Sequence, residues 1–204
     1  MKTQNQQQVW DKIAPEWHKF RQKPFGKTME FLKQKKGNIL DLGSGSGRHL
    51  TKIKKGKMYL VDFSKEMINL AKKKARTRNI KAEFKVADSV KIPYPDNFFD
   101  SGICIALLHC MKKTDAKKTL KELHRVLKPG AAARIAVWNK DSEWFKKKGK
   151  EIAMKWRNSG CRYLYLYKPV EFYNLIEEAG FKITFKLPPE KNIVVNIEKP
   201  ISLG

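Results

Sequence analysis

A chain of 204 residues with 41% hydrophobic side chains can bury one full core, which points to a single domain over residues 1–204. Forty-four basic residues against twenty acidic ones set the formal charge at +24, a field that attracts polyanions with an affinity that falls as salt rises. The longest apolar run, residues 103–108, is too short for a membrane span; Cys104, Cys110 and Cys161 lack C-x-x-C spacing, and His18, His49, His109 and His124 lack ligand spacing, so a soluble cytoplasmic protein with neither disulfides nor a metal is expected.

Val9, Ile13, Trp17 and Phe20, then Met29, Phe31 and Leu32, recur at helical spacing and predict two helical pieces broken near Pro24 and Gly26, an N-terminal arm over 1–36. Strand and helix signals then alternate: a strand at 38–42, a helix near 46–54, a strand at 57–61, a helix near 65–76 and a strand at 81–87. Such alternation requires a parallel sheet. Residues 98–105 read as a fourth strand buried on both faces, and 114–127 as an amphipathic helix with Leu120, Leu123, Val126 and Leu127 inward, stopped by Pro129-Gly130. A fifth strand follows at 131–138. Residues 139–168 are polar, aromatic and basic, a variable segment before Pro169 opens a helix with Phe172, Leu175, Ile176 and Ala179 on one face and Gly180 at its end. Residues 181–187 and 193–197 alternate like an antiparallel strand pair joined through Pro188-Pro189.

Residues 38–47 read N-I-L-D-L-G-S-G-S-G, an apolar run ending in Gly43, Gly45 and Gly47. A strand that stops, turns tightly and lets a ligand approach bare backbone is the expectation for that spacing. Asp62 closes the next apolar run, where a carboxylate can accept both hydroxyls of a ribose and repels a 2′-phosphate, so an unphosphorylated adenosine is favoured over NADP. A dinucleotide loop wants G-x-G-x-x-G, and Arg48 stands where its third glycine belongs.

The pattern Asp41-x-Gly43-x-Gly45-x-Gly47 instead resembles motif I of the class I S-adenosylmethionine-dependent methyltransferases, and the resemblance runs from about Val9 to the C-terminus. Leu-His-Arg-Val-Leu-Lys-Pro-Gly-Ala at 123–131 is similar to a helix-turn-strand common in that superfamily. The resemblance implies an α/β, doubly wound, Rossmann-like sheet of seven mostly parallel strands with an antiparallel last strand. It also implies S-adenosylmethionine as cofactor and S-adenosylhomocysteine as product. The cofactor set it suggests is Asp41 near the methionine ammonium, Gly43, Ser44, Gly45 and Gly47 in the loop, Asp62 and Phe63 at the ribose, Asp88 and Ser89 at the adenine edge, and Ala106.

A narrower resemblance, to the tRNA wobble-uridine methyltransferases that esterify 5-carboxymethyluridine and to the methyltransferase domain of the animal alkylation-repair homologue, rests on four stretches. These are Ile13-Ala14-Pro15 with Arg21-Gln22-Lys23-Pro24-Phe25, then Ile105-Ala106-Leu107-Leu108-His109, then Val137-Trp138, and Arg162-Tyr163-Leu164-Tyr165-Leu166-Tyr167. Cys110 departs from a second histidine that many members have, and the segment after the fifth strand is short. The resemblance implies an anticodon stem-loop as substrate and a small zinc-binding activator as partner, for which the third strand offers an edge; its alternating Lys81, Glu83 and Lys85 read equally as edge protection.

Methyl transfer to a carboxylate needs alignment and water exclusion, not a strong base, because the nucleophile is already ionised. Arg21 is the first choice to grip the carboxylate and Arg162 the second; His109 would donate to base or carboxylate, and Trp138, Tyr163, Tyr165 and Tyr167 would stack on a flipped base or line its pocket. Plainer roles compete: Arg21 pairing with a surface acid, Trp138 covering the sheet end, one or two tyrosines packing as core. The lysine clusters read mostly as solvated faces, with 146–150 beside Trp144, Phe145 and Trp156 the first candidate to hold RNA. Two alternatives stay open: a methyltransferase for a small acid or phenol, since thirty-six of the basic residues are lysine and the charge is then compositional, and a non-catalytic RNA-binding protein.

Overall fold

A computed structural model describes residues 5–157 and 160–201. The arm is two helices, α1 (Gln6–Phe20) and α2 (Gly26–Lys33), followed by β1 (Lys36–Leu42), β2 (Lys54–Asp62), α3 (Lys65–Thr77), β3 (Ala82–Val86), β4 (Phe99–Ile105), α4 (Lys113–Val126) and β5 (Leu127–Trp138). A hairpin of β6 (Glu151–Lys155) and β7 (Cys161–Tyr165) precedes α5 (Pro169–Glu178), β8 (Lys182–Lys186) and β9 (Asn192–Glu198).

Seven strands form one sheet in the order β3-β2-β1-β4-β5-β9-β8, with β3 at the edge as expected. β9 runs antiparallel to both neighbours; the pairs among β1 to β5 are parallel. Helices cover both faces. On one, Leu120, Leu123, Phe172 and Ile176 of α4 and α5 pack on Leu40, Ile135 and Val195; on the other, Phe31, Leu32, Ala71 and Ala75 of α2 and α3 pack on Ile39, Met58 and Leu60. The chain leaves the sheet in opposite senses after β1 and β4, and a crevice opens beyond the carboxyl ends of these two strands.

The chain departs from expectation in three places. No helix forms at 46–54: residues 45–49 are turns and β2 already begins at Lys54. Gly43, Gly45 and Gly47 all hold positive φ, and the six residues left before β2 are too few to repay helix nucleation. α4 ends at Val126, and Pro129-Gly130 lie inside β5, where the pairing with β4 slips between Phe99 and Ser101. The irregularity absorbs the proline that regular pairing rejects. The segment 139–168 contains the β6–β7 hairpin, five residue pairs long.

α1 docks over the corner after β2. Asp11 accepts from Ser64 Oγ at 2.6 Å and from the Glu66 N–H at 3.2 Å, so a carboxylate of α1 caps the start of α3, while Gln7 Nε2 donates to the Phe63 carbonyl at 2.8 Å. The lysine cluster 72–78 is not wholly solvated: Lys74 lies buried between α3 and the arm, and burial lowers its pKa to about 8. No helix among the described residues is long and apolar enough to cross a membrane.

Candidate functional site

The crevice is a cleft of about 630 Å³ lined by the loops after β1, β2, β3 and β4 and by α1. Gly43 holds φ +70 there, and an added Cβ would lie 2.7 Å from Leu107, where the loops after β1 and β4 touch, so both backbone and space call for glycine. Gly45 differs. A Cβ on it would meet protein only at the Met67 sulfur, 4.0 Å away, so the space it leaves belongs to the cleft.

Asp62 stands at the tip of β2 on the cleft wall. Its Oδ2 accepts the Gly45 N–H at 2.8 Å and its Oδ1 the Ser64 N–H at 3.0 Å, which holds the carboxylate against the glycine loop with lone pairs left for hydroxyl donors. Burial raises it to about 6 against those two bonds. Asp41 is 1% exposed and sits behind the loop; its Oδ2 has no hydrogen-bond partner, and burial pushes the carboxyl to about 7 while the Arg48 charge opposes the rise. Ser44 Oγ is likewise buried without a partner. Phe63, Asp88 and Ser89 line the far end, with Asp88 Oδ1 accepting from the Val90 N–H and Ser89 Oγ turned inward to Thr119 Oγ1 at 3.0 Å. These groups fit an adenosine carrying an amino acid: Asp62 offers ribose hydroxyls a partly satisfied carboxylate, and Asp41, which is not itself on the cleft wall, leaves an unanswered carboxyl oxygen behind the glycine loop that an ammonium would answer.

A second cleft of about 200 Å³ opens beside the first and shares Trp10, Trp17, Arg21, Arg48, Ala106 and Cys110 with it. Ala106 makes the junction. Its φ of +65 costs an alanine roughly 1–2 kcal/mol and persists because its N–H bonds to the Ala136 carbonyl at 2.9 Å.

Four of the six residues expected to act on the substrate meet at this second cleft: Arg21, His109, Trp138 and Arg162. His109 is 2% exposed, and burial, helped by the Arg162 and Arg48 charges, lowers it to about 3, so the ring is neutral. Its Nδ1 accepts the Trp138 N–H at 3.2 Å, which leaves the proton on Nε2. Arg162 is 3% exposed, held among the rings of Trp10, Trp17 and Trp156 at 5.6, 5.0 and 5.2 Å. Arg21 ends α1 with its guanidinium 5.2 Å from the Trp17 ring and forms no ion pair among the described residues, so the surface-acid role does not apply.

Two expectations are corrected. Trp138 cannot stack on a flipped base: His109 covers one face at 4.7 Å and Phe145 lies nearly parallel at 4.8 Å, leaving the edge of the indole to line the cleft. Tyr165 is core. Its hydroxyl donates to Glu171 at 2.6 Å and its ring packs on fully buried Tyr167, because that side of β7 faces α5, and it lines neither cleft. Tyr163 remains, on the wall of the larger cleft.

Arg48 is the residue that sequence reasoning missed. Read only as a lost glycine, it lines both clefts and forms no ion pair among the described residues. Trp10, which lines both clefts, and Gln6, whose Oε1 accepts the Tyr163 N–H at 2.9 Å, lie outside the helical pattern of Val9, Ile13, Trp17 and Phe20 that marks this segment in the sequence. Among the described residues no three His, Cys, Asp or Glu side chains are placed to hold a metal ion.

Fold and site are those of the class I S-adenosylmethionine-dependent methyltransferases, and the comparisons agree: residues 39–130 match the model of the methyltransferase domain family. The chain is 31% identical over 159 residues to the tRNA (carboxymethyluridine(34)-5-O)-methyltransferase of Arabidopsis thaliana, covering 76% of this chain and 37% of that protein. It is 31% identical over 151 residues to mouse ALKBH8, named for the same activity, covering 72% and 22%. The ubiquinone/menaquinone biosynthesis C-methyltransferase UbiE of Vibrio cholerae is 30% identical over 174 residues, covering 72% and 64%. The chain thus spans less than two thirds of the length of each of these relatives. Among solved structures, a methyltransferase of Methanosarcina mazei superposes with a TM-score of 0.72 at 21% identity, covering 88% of this chain and 100% of that one. A chain of the Haloferax volcanii complex between the Trm112 methyltransferase activator and a methyltransferase also gives 0.72, at 16% identity and 98% coverage of both.

Proposed function

We propose that this methyltransferase acts on tRNA and esterifies the carboxylate of 5-carboxymethyluridine at the wobble position. One observation carries the reading: Arg21, Arg48 and Arg162 line one small cleft beside the larger one, and none forms an ion pair among the described residues, although the Arg48 charge is felt by buried Asp41. A site so built answers an anion supplied by the substrate. The relatives from Arabidopsis and mouse, and the charge of +24, direct the choice toward a carboxylate on RNA.

Bound S-adenosylmethionine supplies an electrophilic methyl carbon; a carboxylate oxygen forms the new C–O bond, the electron pair of the broken C–S bond returns to sulfur, and no proton moves. The protein's work is placement. The arginines hold the carboxylate in one orientation, His109 Nε2–H donates to the base or the acid, and Trp10 and Trp17 keep water from the junction at Ala106. No general base is required, and neutral, buried His109 is not placed as one. Because the product is a neutral ester, the cationic cleft that binds the acid releases what it makes.

The edge of β3 offers a place for a small activator to dock by strand addition, and the Haloferax volcanii neighbour solved with the Trm112 activator is the reason to look there. The UbiE relative favours a second reading, a small-molecule acceptor, with which three unpaired arginines agree only if that molecule is an acid. Mass analysis of nucleosides from undermodified tRNA incubated with cofactor, with and without an activator, separates the two. Conversion of 5-carboxymethyluridine to its methyl ester supports the proposal, and no methyl gain at any uridine derivative refutes it.

A further inference from the structure

Trp144 is 66% exposed, among the most exposed large hydrophobic side chains of the described residues, and touches Lys191 at the edge of the smaller cleft. Lys191, which lines that cleft, places its ammonium 3.8 Å from the indole centroid. The arrangement is built. Asn139 ties the two loops together, its N–H donating to the Lys191 carbonyl at 3.0 Å and its Nδ2 to the Glu190 carbonyl at 2.8 Å. Ser142 Oγ donates to the Asn139 carbonyl at 2.7 Å, and the Phe145 N–H to the Ser142 carbonyl at 2.9 Å. Phe145 then buries its ring against Trp138, pinning the backbone next to Trp144.

A large ring held at the surface by a fixed loop loses little entropy when something lies on it. Its surroundings say what that is. Residues 140–150 carry five lysines against Asp141 and Glu143, and Glu143 is already paired with Lys146 at 2.6 Å. One indole is too small an area for a protein partner, whereas a nucleobase needs only one π-face and brings a phosphate for the ammonium beside it.

Resting on the tRNA reading above, we propose that Trp144 and Lys191 form an outer seat on which a nucleobase flanking the target stacks while the target enters the arginine-lined cleft. Trp138, covered on both faces, cannot serve as that platform; Trp144 takes the role at the rim.

The test is equilibrium binding of a labelled anticodon stem-loop RNA to the full chain and to the variants Trp144→Ala, Trp144→Phe and Lys191→Gln across a series of salt concentrations, the variants being compared at the lowest, with cofactor calorimetry on each as the control for folding. Trp144→Ala is expected to weaken RNA binding roughly 5- to 100-fold, the range of one base–aromatic stack, and Trp144→Phe to restore most of it. Lys191→Gln should lower the salt dependence by about one phosphate contact. Trp144→Ala binding as tightly as the unaltered chain overturns the seat and leaves the tRNA reading standing. If the unaltered chain itself shows no salt-dependent binding to the stem-loop, both fall.

Discussion

The main-chain N–H of Trp138 donates to His109 Nδ1 at 3.2 Å, and the two rings lie nearly parallel, 4.7 Å apart. This single contact sets both the tautomer and the plane of the imidazole, so the Nε2–H is a fixed donor at the smaller cleft, where the acceptor is proposed to bind. Replacing His109 with Phe keeps the stack and deletes the donor. A hydrogen bond to a charged group is worth about 1.5–3 kcal/mol, so kcat/KM for the acceptor should fall roughly 10- to 100-fold with cofactor affinity within threefold of the unaltered protein. Because burial holds His109 near 3, the pH profile of the unaltered enzyme at saturating cofactor should show no inflection between pH 5 and 8 that the His109→Phe variant lacks.

Cofactor affinity should depend on pH through two carboxyls. Asp62 near 6 and Asp41 near 7 are both raised by burial in the ligand-free protein, and both must ionise to meet hydroxyls and an ammonium. The sign follows: a raised folded pKa contributes stability below the unfolded value near 4 and loses it as pH climbs through 6 to 7, while the bound form gains. Calorimetry should therefore show affinity rising on the order of a hundredfold from pH 5.5 to 7.5, with protons released on binding. A flat profile would remove both residues from the cofactor site.

His49 and His109 act with the opposite sign on stability. Burial holds each near 3 in the folded chain, so the unfolded chain takes up more protons and stability falls as pH drops from about 6.5. Substituting Gln for His49, whose Nε2 accepts the Phe25 N–H at 3.4 Å, should flatten the decline in Tm between pH 6.5 and 4.5.

Arg162 separates function from folding. It is a buried cation whose Nε finds no hydrogen-bond partner, and apolar side chains of similar size often replace such charges without loss of stability. Arg162→Met should keep the Tm of the unaltered protein or raise it, and still raise KM for the carboxylate acceptor at least tenfold. A large fall in Tm would show that the three indoles need the cation structurally.

Much of this was legible in the chain. Apolar runs ending at Leu42, Val61 and Ile105 gave up the parallel strands, and the glycine spacing with Asp62 pointed to the place where the larger cleft opens, because both depend on local pattern. What was hidden depends on contacts distant in sequence. Trp138 looked like a free platform until a turn at 139–142 returned Phe145 to it, and Tyr165 looked like a pocket wall until Glu171 claimed its hydroxyl. Arg48 was hidden by an expected helix that never forms: in the short turn that replaces it, the side chain lines both clefts.

The linkage of the transferred methyl group is the most direct test of the central claim. Undermodified tRNA methylated with methyl-labelled cofactor should carry its label as a carboxylate ester, released as methanol by mild alkali, and digestion should return 5-carboxymethyluridine. Label that survives the same treatment on a ring carbon or nitrogen would contradict the account, because an arginine-lined cleft without a base would then not be the place where the methyl group lands.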